Sequence, residues 1–143
     1  PSVAGWPAMY QEPSYHRLWM TSVSAPYRAV LADYVAGTPE IKGRNYTISF
    51  DVFELAKQTT NPVDPNVLIK DLAEFLLPVE ITDYQLEYLK SNLLPNGLQD
   101  SQWSAVWAGY VAQPENTTNT TIVNNLLRNL LRACLNIAEY HLI

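Results

Sequence analysis

Two groups of aromatic residues are the side chains in this sequence best suited to binding chemistry. Trp6, Tyr10, Tyr15 and Trp19 crowd the first part of the chain. Flat rings of this kind can cover the apolar faces of sugars, so these four form the candidate ligand-binding set, with a glycan as the ligand class. The competing use is packing. Each such ring buries on the order of 150–250 Å², and large aromatics commonly anchor cores. Trp103, Trp107 and Tyr110 recur at helical spacing with Val106 and Val111. That stripe reads as core, or as a groove offered to a ligand or to another region of protein.

Catalytic and metal chemistry find little support. His16 and His141 are the two histidines, whereas a metal site needs three or four converging ligands. No His-x-x-x-His or Glu-x-x-His pairing occurs, so neither a metal nor a cofactor is expected. Glu12 and His16 are spaced as a surface pair. Asp51 with Glu54 is spaced as a helix cap rather than as an acid–base pair. There is no Gly-x-Ser-x-Gly elbow and no glycine-rich phosphate loop. The single cysteine, Cys134, excludes an internal disulfide and a cysteine-cluster metal site. It lies on an apolar stripe, where a buried thiol is unreactive. Asn45, Asn116 and Asn119 each open an Asn-x-Thr match to the N-glycosylation pattern, and the Asn and Thr content around residue 119 also suits a loop and helix start.

These residues must be positioned by a chain of 143 residues, 48% hydrophobic, enough for one compact domain. Nine basic and fourteen acidic residues give a net charge of −5. That balance argues against a nucleic-acid backbone as partner and against a polybasic membrane patch. No apolar run is long enough to span a bilayer. Ten prolines against five glycines suggest helices with firm stops.

The opening, residues 1–13, reads as an irregular arm, and Ser14 could cap a short helix to Ser22. A helix from Ser24 to Gly37 carries Tyr27, Val30, Leu31, Tyr34 and Val35 as its stripe. Thr38 to Arg44 reads as a loop. Tyr46 to Phe50 alternates like a strand but is short, so it reads as an extended lead-in to a helix over Val52–Lys57. Asp64 and Pro65 start a helix with Leu68, Leu72, Phe75 and Leu76 inward, stopped by Pro78. Thr82 and Gln85 form a capping box for a helix to about Leu93. Asp100 caps the helix of the Trp103 stripe. Asn116 to Thr121 reads as a loop, and the last helix carries Val123, Leu126, Leu127, Leu130, Leu131, Cys134 and Ala138, with Arg128 and Arg132 on the solvated side. The expected fold is all-α: one domain over residues 1–143, a compact bundle-like array of five to six helices behind the irregular arm.

Val3-Ala4-Gly5-Trp6-Pro7, Tyr10-Gln11-Glu12-Pro13, then Trp19, Ser22 and Arg28, form an ordered set. Pro62-Val63-Asp64-Pro65, Leu68-Ile69, Leu76-Leu77-Pro78 and the ending Glu139-Tyr140-His141-Leu142 extend it. Together they resemble the C-terminal part of a large bacterial family catalogued as domain of unknown function 1800. The likeness covers nearly all of this chain and would cover about the last third of a full-length member. It implies an exported bacterial protein, periplasmic, cell-surface or secreted, and supplies no catalytic residues. The first residue is Pro1, which fits a chain that begins inside something longer.

Three functional expectations follow. The first is a non-catalytic interaction or structural module whose partner is the remainder of the parent protein or another protein. The second is a carbohydrate-binding module using Trp6, Tyr10, Tyr15 and Trp19. The third is part of an enzyme whose active site lies mainly in a preceding N-terminal region.

Overall fold

The computed structural model describes residues 22–37 and 40–142. The arm, the helix expected from Ser14, and Trp6, Tyr10, Tyr15, His16 and Trp19 lie outside the described residues. Among the described residues there are six α-helices: α1 (Ser24–Gly37), α2 (Val52–Lys57), α3 (Pro65–Leu76), α4 (Asp83–Leu93), α5 (Asp100–Ala112) and α6 (Thr117–Asn136). Short 3-10 turns follow α4 at Pro95–Gly97 and α6 at Ala138–Leu142. The all-α expectation holds, with one small addition.

That addition is a hairpin. β1 (Glu40–Lys42) pairs antiparallel with β2 (Thr47–Ser49), Ile41 opposite Ile48. The Gly43 amide donates to the Tyr46 carbonyl at 2.8 Å to close it. The Tyr46 ring lies over Gly43, where a Cβ would collide with it. Tyr46 to Phe50 is therefore half of a ribbon, and part of the expected loop at Thr38–Arg44 is its other half. A three-residue strand is too short for alternation to distinguish it from loop.

The helix ends follow side-chain chemistry. Asp51 Oδ1 accepts from the Phe53 amide at 2.8 Å and the Glu54 amide at 3.3 Å. Glu54 turns instead to Lys57, at 2.8 Å. Asp64 Oδ1 accepts from the Asn66 amide at 2.9 Å, with Pro65 in the first position of α3. At α4 the Thr82 hydroxyl accepts from the Gln85 amide, and the Gln85 side chain accepts from the Thr82 amide. Asn116 Oδ1 accepts from the Thr118 and Asn119 amides. That cap starts α6 at Thr117, so most of the expected loop at Asn116–Thr121 is helix. Asp100 is the first residue of α5 rather than its cap. Gln99 precedes the helix, and its amide donates to Gln102 Oε1 at 2.7 Å.

α6 is the centre. At 20 residues it is about 30 Å long, and it packs against each of the other five helices and the C-terminal turn. Val123, Leu126, Leu127, Leu130, Leu131 and Cys134 are buried as expected, joined by Ala133 and Leu135. Ala138 is exposed because the helix has ended, and Ile137 is buried in its place. Leu68, Ile69 and Leu72 of α3, Leu89 and Leu93 of α4, and Trp103 and Trp107 of α5 complete the core around it.

Three stripes are turned from their expected orientation. In α1, Tyr27, Val30, Leu31 and Tyr34 are exposed, while Ala32 and Ala36 are buried. Small side chains let the backbones approach closely, and polar contacts fix the rotation. Arg128 Nη1 donates to the Ala36 carbonyl at 2.9 Å. Arg132 meets Asp33 at 3.1 Å, and Asn136 donates to Asp33 at 3.0 Å. Both arginines therefore face α1, and Arg128 is half-buried rather than solvated. In α3, Phe75 is 72% exposed and Ile69 and Ala73 are buried. The helix ends one residue later, and Leu77 takes up the inward space. In α5, Val111 is exposed and Val106 is half-buried, so the buried stripe narrows to Trp103, Trp107 and Tyr110.

Candidate interaction surface

The aromatic row of α5 is core and offers no groove. Trp103 and Trp107 stack with ring centroids 5.7 Å apart, and Tyr110 stacks on Phe53 of α2 at 4.6 Å. Trp103 Nε1 donates to the Pro62 carbonyl at 2.9 Å, which satisfies its polar edge. This ties the loop before α3 to α5. Cys134 is fully buried, and burial pushes its thiol up to about 12. At neutral pH it is neither a nucleophile nor a metal ligand.

Asp100 sits in the most connected polar cluster. Lys90 Nζ lies 2.9 Å from Asp100 Oδ2 and 3.0 Å from Asn66 Oδ1, and Asn66 Nδ2 donates to Asp100 Oδ2 at 3.0 Å. The Lys90 ammonium, and after it the Asn66 amide, hold the Asp100 carboxyl below its usual value. Each partner is engaged, so the cluster joins α3, α4 and α5 and presents no group poised for acid–base work. Among the described residues no group of three His, Cys, Asp or Glu side chains could hold a metal ion. None of the described helices is long and apolar enough to cross a membrane.

The unusual surface is α1. On a helical wheel Ala32 and Ala36 face α6. Leu31 and Val35 lie on one flank, and Tyr27, Val30 and Tyr34 face away. The outward three are 73%, 65% and 50% exposed. α1 is thus apolar on its inner face, one flank and its outer face; Asp33 lies between the outer row and the inner alanines on the other side. Sequence periodicity assigned the outer row to the core because larger apolar residues outweigh alanine. The signal for the true orientation was Ala32 and Ala36, four apart, as a close-approach seam.

Beside the flank runs a cleft of about 350 Å³ between α1, the end of α3, α6 and the C-terminal turn. Leu31, Val35, Phe50, Leu76, Leu135 and Tyr140 line it. At its rim Arg28 Nη1 donates to the His141 carbonyl at 2.7 Å, clasping the start of α1 to the end of the chain. The glycan-binding set Trp6, Tyr10, Tyr15 and Trp19 lies outside the described residues. Compared with protein-family models, curated proteins and solved structures, the chain matches none.

Proposed function

We propose that this chain is a non-catalytic helical interaction module. In this reading it forms the C-terminal part of an exported bacterial protein of the family catalogued as domain of unknown function 1800. It docks onto the remainder of that protein through the outer face of α1. The observation that carries the reading is the row Tyr27, Val30 and Tyr34, exposed on a helix whose opposite face is already buried. A helix apolar nearly all round is ordinarily covered all round. Single exposed apolar residues need no explanation, but a continuous row marks a contact surface. The ordered motifs from Val3 to His141 supply the link to the family.

The test is oxidative footprinting of Tyr27 and Tyr34 in this chain alone and in the purified full-length parent. Docking predicts several-fold slower modification of both tyrosines in the parent. Equal rates in the two proteins would refute it.

A further inference from the structure

We infer that the notch between the end of α3 and the start of α4 docks an extended, arginine-bearing segment of a partner protein. Docking here is independent of the outer row of α1.

The notch has a volume of about 480 Å³, within the range of sites that enclose a few side chains. Leu77, Pro78, Val79 and Ile81 give it an apolar lining, and Glu74 and Glu80 add carboxylates. α3 ends at Leu76 and Thr82 caps α4, so the turn that carries Val79, Glu80 and Ile81 is pinned by a helix at each end.

Charge singles out this face. The chain carries a net charge of −5, and most of the described carboxylates are already engaged. Asp33, Glu40, Glu54 and Asp100 meet lysine or arginine. Asp51 and Asp64 cap helices, and others accept amide hydrogen bonds. Glu74, Glu80, Asp83 and Glu87 have no such partner among the described residues, and all four stand exposed within one stretch of chain. Glu74 lies in the last turn of α3, where the helix dipole disfavours negative charge, so its own helix does not account for it. Lys70 also lines the notch, a single cation against these four carboxylates.

An arginine matches both halves of the surface. Its apolar stem covers the lining, and its planar guanidinium forks onto a carboxylate through two N–H bonds. Tyr84 and Tyr88 continue the surface along α4, on the side opposite the buried Leu89 and Leu93. They are 84% and 48% exposed, with Glu87 between them in sequence. Open rings beside a carboxylate receive the face of a guanidinium, and lysine lacks that planar fork.

Fluorescence anisotropy of the full chain with a labelled peptide of alternating arginine and glycine tests this. Docking predicts saturable binding that weakens about tenfold in the double variant Glu74→Gln, Glu80→Gln, through loss of charge-assisted contacts. The double variant Glu40→Gln, Glu115→Gln removes the same charge elsewhere and should bind like the unmodified chain. All four positions are exposed, so neither variant disturbs the core. On titration the methyl resonances of Val79 and Ile81 should shift, while those of Val111 and Ile122, exposed on other helices, stay in place. Absence of binding overturns the inference. So does equal weakening in the two double variants, which would mark attraction to net charge alone.

Discussion

α6 carries a single apolar stripe and α1 is apolar on several faces, and their large residues meet opposite fates. In α6 the large residues Val123, Leu126, Leu127, Leu130 and Leu131 all point inward. In α1 the large residues Tyr27, Val30 and Tyr34 point outward, Leu31 stands exposed on a flank, and alanines fill the seam. The difference is position. α6 meets the other five described helices along its one apolar stripe, with Asn125 and Asn129 on its exposed side. A peripheral helix with two apolar faces must choose one, and here steric fit and hydrogen bonds made the choice. Periodicity therefore locates an apolar face without saying which of two such faces is the inner one.

The sharpest way to break this comparison is to truncate one residue from each helix. Leu130 has no exposed surface, and Leu130→Ala should lose about 2–5 kcal/mol through lost transfer free energy and the cavity left behind. Val30→Ala should change stability by no more than about 0.5 kcal/mol, as for other surface substitutions. Urea midpoints of the two variants measure the difference. Equal losses would mean that Val30 is buried in this chain and that α1 is turned the other way.

The next largest effect tests what fixes the rotation of α1. Arg128 donates to the Ala36 carbonyl at 2.9 Å, to the Phe50 carbonyl at 3.3 Å and to Asn124 at 3.2 Å. It thereby holds the end of α1 and the strand-to-helix link together on α6. Burial lowers its guanidinium pKa, with Asp51 opposing the shift. Arg128→Met keeps most of the apolar stem and removes the donors, so it should cost about 1–2 kcal/mol. Amide exchange should accelerate in α1 more than in α3 or α4. A uniform change across the chain would assign Arg128 to general packing instead.

Much of the architecture was legible because it rests on local rules. Asp51, Asp64 and Thr82 cap helices as their sequence context requires, and the α6 stripe is buried nearly to the residue. What failed to show was long-range. The β1–β2 pairing depends on two three-residue segments meeting, and neither is long enough to announce itself. The Asn116 cap is not decided by sequence because polar residues suit a loop and a first helical turn equally. Spacing alone places Phe75 inward, although α3 stops where Leu77 can turn in. The surface of α1 is a product of packing against Ala32 and Ala36, so it could be read only after α6 was in place.

The smallest expected effect concerns the side of the molecule held by Lys90, Asn66 and Asp100, where polar contacts between helices play no part in exposing an apolar face. Asp100 is held below its usual carboxyl value of 3.8 in the folded chain, first by Lys90 and then by Asn66. A carboxyl with a lowered folded pKa contributes stability above its unfolded pKa and loses it as pH falls through the folded value. The side chains of Lys90 and Asp100 are 23% and 44% exposed, so water and salt screen the pair and the contribution should stay below ~1 kcal/mol. Asp100→Asn should therefore lower the urea midpoint slightly at neutral pH, and the gap from the unmodified chain should narrow as pH drops below about 3.8. A gap that stayed constant down to pH ~2, well below the unfolded value, would trace the loss to the shape of the amide rather than to the charge of Asp100. Arg128→Met, whose guanidinium does not titrate in that range, serves as the control: its deficit should remain after acidification, leaving the α1–α6 seam set by hydrogen bonding and the α3–α4–α5 junction tuned by charge.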